Sequence, residues 1–330
     1  MDRTDSTPEA LEAPALTVSA GRLDARMLRD LRALADAAEA ADGNPPFSDQ
    51  TWVELRTTDD PDRVRTVTAW LDHAPGREGE LAGAAVAVSP EHGAGPHAAG
   101  VLELVVHPNC RSQGVATAMA RELSDLLTST PMQAWAHGNH AAAARLAEQL
   151  GYTPVRELLR LRLTHQADAD AAAWNEDLPE GVTIRSFVPG ADDAAWLEAN
   201  AAAFAHHPEQ GSLDQTDLDA RKAEPWFDPA GFLLAVDADG SVLGYHWTKI
   251  HPGLDGHPPL GEVYVIGVVP QAQGRGLGRL LTVLGIRYLQ RQGVAAVMLY
   301  VDSDNSSAVK LYRRLGFTRW DTDVMYAPAS

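Results

Sequence analysis

Residues 268–289 read VVPQAQGRGLGRLLTVLGIRYL. Gly274, Gly276 and Gly278 alternate directly ahead of an apolar helix pattern. Glycine loses more backbone entropy on folding than alanine, so it is a poor helix starter unless the bare backbone is needed. A helix start carries unpaired N–H groups and the positive end of the helix dipole. With no side chains in the way, those N–H groups can close around a phosphate, and Arg275 and Arg279 add positive charge nearby. The stretch predicts a strand, VYVIGVV, a turn at Pro270, a phosphate loop and a helix from about Gly276 to Gln292.

Outward from this loop, the chain contains an internal repeat. LELVVHPNCRSQGVATAMARELSDLL (102–127) matches VYVIGVVPQAQGRGLGRLLTVLGIRYL (263–289), with Pro108 aligned on Pro270 and Arg111 on Gln273. Each copy continues into a short strand and then a helix that closes on Gly-aromatic, at Gly151 and at Gly316. A period of about 160 residues is a duplicated domain and not a solenoid. The polar, Ala/Asp-rich stretch between the copies reads as a linker at 165–181. The expected organisation is a disordered tail at 1–15, a first domain at 16–164 and a second at 182–330.

In the second copy VTIRSF, FLLAVD, SVLGYHWTKI, GEVYVIGVV, AAVMLYVD and TDVMYA read as strands. ADDAAWLEANAAAFA and residues 306–315 read as helices. The order is β-α-α-β-β-β-α-β-α-β, a mixed sheet with helices on its faces, and the first copy reads the same way. The expected fold class is therefore α/β (mixed-sheet α+β) with two tandem domains.

Composition narrows the function. The chain has 330 residues and a formal net charge of −18, which disfavours general nucleic-acid binding. Cys110 is the single cysteine, which excludes an intrachain disulfide framework and fits a reducing cytoplasm. It reads as a small buried residue, not a nucleophile. No apolar run reaches the roughly 18 residues of a membrane span, and the N-terminus lacks a signal-peptide pattern. His206, His207, His251 and His257 lack a third ligand at usable spacing, so no metal is expected.

The glycine loop is not a P-loop, because no Lys-Ser/Thr follows, and not a dinucleotide fingerprint, because it runs G-x-G-x-G deep inside a domain. What remains is Gln/Arg-x-x-Gly-x-Gly/Ala, seen as Gln273-Gly274-Arg275-Gly276-Leu277-Gly278 and as Arg111-Ser112-Gln113-Gly114-Val115-Ala116. Here the sequence resembles the GCN5-related N-acetyltransferases, in both halves and more cleanly in the second. The resemblance implies that Gln273 to Arg279, including Leu277, hold the pyrophosphate of acetyl-CoA. It places Ile266, Gly267 and Val268 beside the pantetheine arm, in a slot opened by a splayed parallel strand pair. Asn305, Ser306, Ser307, Ala308, Val309 and Lys310 would line the pantetheine or nucleotide end, although Asn305 also suits a helix cap. In the first copy Leu104, Val105 and Val106, with Arg111 to Ala116, take the matching places.

Amine acetylation needs a neutral amine and a proton for the leaving thiolate. The resemblance puts the acid at Tyr312. The base should sit on the strand ahead of the loop, where Glu262 stands. Simple alternation would place Glu262, Tyr264 and Ile266 on one face of that strand. The first copy has Gly100 where the second has Glu262, and Ala147 where it has Tyr312. The first copy is therefore expected to bind acetyl-CoA weakly or structurally and not to catalyse.

HPEQG (207–211), GYHWTKIHP (244–252), GEVYVIGVVP (261–270) and LYVDSDNSSAVKLYRRLGF (299–317) resemble the mycothiol synthase family, a tandem branch of these acetyltransferases. That resemblance implies a small-molecule amine substrate, cysteinyl-glucosaminyl-inositol, met by Asp49, Glu209, Lys249, Glu262 and Tyr300. Asp49 stands where the family has a glutamate, which shortens its reach. A cytoplasmic, monomeric enzyme without nucleic-acid or membrane partners is expected. Two alternatives stay open: another amine acceptor (a protein N-terminus, a polyamine or an aminoglycoside), or an acyl-CoA-binding regulator without turnover.

Overall fold

The computed structural model describes residues 14–71, 80–90, 99–127, 130–164, 174, 176–205, 210–253 and 258–329. Most of the expected tail and linker lies outside the described residues; Ala15 already begins the first strand.

The first repeat comprises β1 (Ala15–Ala20), α1 (Ala25–Asp42), α2 (Asp49–Thr57), β2 (Val64–Leu71), β3 (Glu80–Val88), β4 (Gly100–Val106), α3 (Val115–Leu126), β5 (Met132–Ala136), α4 (Ala141–Gln149) and β6 (Tyr152–Thr164). The second comprises β7 (Thr183–Ser186), α5 (Asp193–Ala203), α6 (Gln215–Lys222), β8 (Phe232–Val236), β9 (Val242–His251), β10 (Leu260–Val268), α7 (Leu277–Arg291), β11 (Ala296–Asp302), α8 (Ser306–Arg314) and β12 (Thr318–Pro328). The two lists carry the same order of helices and strands. Their local signals are legible: Asp24 caps α1, Ser48 caps α2, and Asp214 forms a reciprocal capping box with Asp217 at α6.

The chain divides into two compact units, 1–157 with 322–330, and 158–321. These bounds differ from the sequence reading at the last strand of each repeat. Residues 158–164 of β6 pair antiparallel with β11 in the second unit. Val324 to Tyr326 of β12 pair antiparallel with β5 in the first. The physical reason is side-chain alternation. Leu159, Leu161 and Leu163 point to one face of β6 and are buried with Val263, Ile286, Leu289 and Leu299. Val324 and Tyr326 pack on Ala136.

Within the first unit the strands run β1-β2-β3-β4-β5-β12, and β4–β5 is the parallel pair. Within the second they run β6-β11-β10-β9-β8-β7, and β10–β11 is the parallel pair. One core of the second unit centres on Trp196 of α5, fully buried, with edge-on contacts to Phe232, Tyr245 and Trp247 at 5.6 Å each. Burying such a side chain contributes roughly 1.5–3 kcal/mol, enough to fix α5 on that face of the sheet. The other core lies between the opposite face and helices α7 and α8.

Candidate active site

The sheet of the second unit opens where its parallel pair ends. β10 pairs with β11 from Leu260 opposite Ala296 to Val263 opposite Leu299. Beyond that point β10 continues to Val268, paired with β9 alone. Ile266, Gly267 and Val268 therefore border a slot, with backbone polar groups on the open edge available to an extended ligand.

The glycine loop follows at the end of this slot. Gly274 and Gly276 have φ of 78° and 81°, a left-handed backbone that side chains rarely adopt. Gly276 precedes α7 and offers no side-chain cap, so the first N–H groups of the helix stay uncapped by protein side chains. The Gln273 amide donates to the Val268 carbonyl at 3.3 Å and ties the loop to the strand. Arg275 donates to the Glu180 carbonyl at 3.4 Å. A Cβ at Gly278 would meet nothing closer than Val268 Cγ2 at 3.8 Å. Glycine at 278 thus keeps a cradle clear that a side chain would fill, and this donor set fits a diphosphate. Farther along, Asn305 caps α8 by accepting from the Ala308 N–H at 3.2 Å. Ser306, Ser307 and Lys310 are exposed there, Ala308 is half-buried, and Val309 enters the core.

Glu262 and Tyr312 lie on opposite faces of the sheet. Glu262 is 6% exposed, stands opposite Lys249 on β9, and accepts from His251 Nε2 at 2.7 Å through its Oε2. Its Oε1 has no hydrogen-bond partner among the described residues. Lys249 lies over Trp226 at 4.9 Å and Tyr264 at 5.5 Å. Tyr312 packs on the helix side with Val263, Leu299 and Phe317. Burial pushes its phenol up to about 12, so it stays protonated at neutral pH. The simple alternation expected for β10 fails at Tyr264, where the β9 register shifts between Val263 and Val265. This bulge leaves Glu262 on the face of Lys249 and Trp247, and sends Ile266 to the opposite face beside His246.

Comparison with known proteins agrees with this geometry. The model of the Acetyltransferase (GNAT) family matches residues 31–152 and 195–317. The chain belongs to the GNAT acetyltransferase family. It is 55% identical over 94% of its length to a mycothiol acetyltransferase of Paenarthrobacter aurescens, covering 95% of that protein. It is 54% identical to one from Pseudarthrobacter chlorophenolicus, over 98% of both chains. A GCN5-related N-acetyltransferase from Sphaerobacter thermophilus superposes with a TM-score of 0.65 at 26% identity, over 94% of this chain and 95% of that one. A tandem GNAT protein from the clavulanic acid biosynthesis pathway shares the fold, with a TM-score of 0.69 at 20% identity over 96% and 99% of the two chains. As a GNAT protein the chain is an acetyl-CoA-dependent N-acetyltransferase.

The first GNAT unit repeats the loop, with Gly100 and Ala147 where the second has Glu262 and Tyr312. Its parallel pair ends at Leu102 opposite Ala134. Ser112 and Gly114 take the left-handed backbone of Gly274 and Gly276, with φ of 61° and 80°. Arg111 donates to the Val106 carbonyl as Gln273 does to Val268, and also forms a two-pronged ion pair with Asp42 at 2.7 and 2.8 Å. A cavity of about 710 Å³ gathers Leu104, Val105, Val106, Arg111, Ser112, Gly114, Val115 and Ala116. Gln113 stands apart and donates to the Asn109 carbonyl. Cys110 is half-buried at the same cavity. A Cβ at Gly100 would lie 2.6 Å from Met132 Sδ and 2.7 Å from the Val88 carbonyl, so no carboxylate can occupy the place of Glu262. Ala147 lines the cavity at the place of Tyr312.

The first unit instead holds a polar centre that the sequence reading missed. His137 bonds Asp323 through Nδ1 and Glu103 through Nε2, both at 2.9 Å. Glu103 and Asp323 are 1% and 2% exposed. Despite desolvation, the two carboxylates raise the imidazole to about 10, so it is the doubly protonated cation. Ser48 N–H donates to both Glu103 oxygens and Gly138 N–H to Asp323. No local motif announces this group, because its members are 34 and 186 positions apart.

The remaining acceptor candidates fall as follows. Lys249, Glu262 and Tyr300 are in the second unit, and Tyr300 shares the Glu262 face of the sheet. Asp49 opens α2 of the first unit. Glu209, with His206 and His207, lies outside the described residues. His251, considered in the sequence only as a metal ligand, is the partner of Glu262 that sequence reasoning missed; its signal is its place two residues beyond Lys249 on the same strand face. Among the described residues no three His, Cys, Asp or Glu side chains form a metal-binding group, and no helix is long and apolar enough to cross a membrane.

Proposed function

We propose that this chain catalyses the mycothiol synthase reaction: acetyl passes from acetyl-CoA to the cysteinyl amine of 1D-myo-inositol 2-(L-cysteinylamino)-2-deoxy-α-D-glucopyranoside, the last step of mycothiol biosynthesis. The observation that carries the reading is the similarity to mycothiol acetyltransferases at about half identity across both units.

The chemistry belongs to the second unit. Bound acetyl-CoA supplies an activated acyl group whose thioester carbon the amine attacks. Glu262 receives the ammonium proton on its open Oε1, directly or through one water, while His251 holds Oε2. Tyr312 gives its phenolic proton to the departing thiolate from the other side of the slot. An N–C bond forms and the S–C bond breaks; one nitrogen proton moves to Glu262, Tyr312 protonates the thiolate, and the second nitrogen proton, released as the neutral amide forms, returns to the Tyr312 phenolate. The uncapped start of α7 with the 273–279 loop holds the diphosphate, and Ile266 to Val268 align the pantetheine arm. Lys249, Tyr300 and Glu209 are assigned to the acceptor. The first unit binds acetyl-CoA without turning it over. The protein works as a cytoplasmic monomer.

The test is purified protein with acetyl-CoA and a panel of amines, followed by coenzyme A release and product mass. Acetylation of cysteinyl-glucosaminyl-inositol and not of peptides, polyamines or aminoglycosides supports the reading. Turnover of another amine alone, or coenzyme binding without turnover, refutes it.

A further inference from the structure

Arg160 is 3% exposed, yet its Nε has no hydrogen-bond partner among the described residues. Nε of Arg162, on the same face of β6, is in the same condition. Buried polar groups are normally hydrogen-bonded, and a buried charge is costly without a partner. What these guanidiniums meet instead is aromatic. Arg160 Cζ lies 4.4 Å from the ring centre of Trp320 and 5.6 Å from that of Tyr300, and Arg162 Cζ lies 4.7 Å from Trp320. Cation–π contact offsets part of the desolvation cost but leaves N–H donors of the fork unused. Trp320 itself is 40% exposed, unusual for so large an apolar side chain.

The group shares the face of Glu262. Met298 is the strand partner of both Glu262 and Arg162, and Tyr300 is the partner of Arg160. Directly paired residues point the same way, so all five side chains stand on one side of the sheet. Trp320 is carried alongside β6 by the start of β12, where the Thr318 hydroxyl donates to the Arg162 carbonyl at 3.4 Å. From β10 to β12 by way of β11 and β6 is three strand spacings, about 14 Å.

We propose that Trp320 and Arg160 form the subsite for the polyhydroxylated rings of the acceptor; this rests on the proposed function. An amine seated at Glu262 leaves the rest of its molecule to run across this face. The guanidinium of Arg160 donates to ring hydroxyls, and the exposed indole of Trp320 carries the apolar face of a ring. Trp320 thereby sets specificity for the ring-bearing acceptor and takes no part in proton transfer.

The test uses the exposed residue, whose replacement leaves the core intact. In the presence of acetyl-CoA, KM and kcat are measured for wild type and Trp320→Ala with cysteinyl-glucosaminyl-inositol and with cysteine amide, which lacks the rings. Calorimetric binding of glucosaminyl-inositol, which lacks the cysteinyl arm, is measured in parallel. Trp320→Ala is expected to raise KM for the conjugate roughly tenfold, to leave KM for acetyl-CoA and turnover of cysteine amide unchanged, and to weaken glucosaminyl-inositol similarly. Equal losses on both amines, or no change for the conjugate, overturn the inference while the proposed function stands. Ring binding that depends on Trp320 in a protein unable to acetylate the conjugate sinks the proposed function and keeps the subsite. Inorganic phosphate displacing no bound sugar supports a polyol site; binding of phosphate alone overturns it. Arg160→Met, checked for folding by its melting temperature, is expected to weaken both ring-bearing ligands alike.

Discussion

His251 Nε2 lies 2.7 Å from Glu262 Oε2, joining a one-third exposed imidazole to a buried carboxylate across two neighbouring strands. The contact occupies one carboxylate oxygen and leaves Oε1 without a hydrogen-bond partner among the described residues. As the proposed base, a carboxylate held this way meets the amine in one orientation, which lowers the entropic part of the barrier.

Glu262→Gln is therefore expected to lower kcat by about 10²–10⁴-fold, the usual worth of a positioned general base. His251→Leu should lower kcat by roughly tenfold through a misaligned base, with KM for acetyl-CoA unchanged. His251→Gln restores an N–H donor and should recover much of the loss. Steady-state kinetics on the three variants decides the matter, and equal activity of the Leu and Gln variants would remove His251 from the account.

Tyr312→Phe deletes one hydroxyl that has no hydrogen-bond partner among the described residues. Folding should be little affected, while kcat falls by about 10²–10⁴-fold. Burial raises the phenol to about 12, above its unfolded value. Its stabilising contribution is thus complete below about pH 10 and is lost as pH rises toward 12. In melting curves taken across that range, the Phe variant should lose less stability than wild type.

In the first unit His137 is raised to about 10 by Glu103 and Asp323, against about 6.5 when unfolded. The sign follows from the raised value: this contribution is complete below about pH 6.5 and declines as pH climbs from there to about 10. Replacing His137 by Gln should flatten the melting temperature over that window. Acetyl transfer at neutral pH should persist, because His137 lies outside the unit to which the chemistry is proposed to belong. An unchanged pH slope would mean that the imidazole is not the cation between two carboxylates.

Much of this site was legible in the sequence, for reasons that particular residues make plain. Gly274 and Gly276 need a left-handed backbone, and Pro270 turns the chain, so the loop announces itself locally. Glu262 was expected from its place on the strand ahead of the loop, and Tyr312 from the family resemblance; spacing to Pro270 and Gly316 gave only their counterparts Gly100 and Ala147 in the first copy. Less accessible was whatever depends on strand register. The bulge at Tyr264 reverses part of β10, and no composition signal marks it. The exchange of β6 and β12 between the units follows from which leucine or valine face completes which core, a comparison of distant segments. The same exchange brings Asp323 to His137, so that triad was invisible to any local motif.

The central claim is that the loop of the second unit, and not its counterpart in the first, holds the coenzyme for catalysis. The most direct measurement places one lesion in each loop. Gly276 and Gly114 both begin a helix with φ near 80°, and a Cβ at either meets nothing within 4 Å. Gly276→Val and Gly114→Val thus impose the same backbone strain at the same place in two copies. Acetyl transfer to the cysteinyl conjugate should collapse for Gly276→Val, with loss of coenzyme affinity, and persist for Gly114→Val. Persistent turnover in the first variant, or collapse in the second alone, would contradict the account.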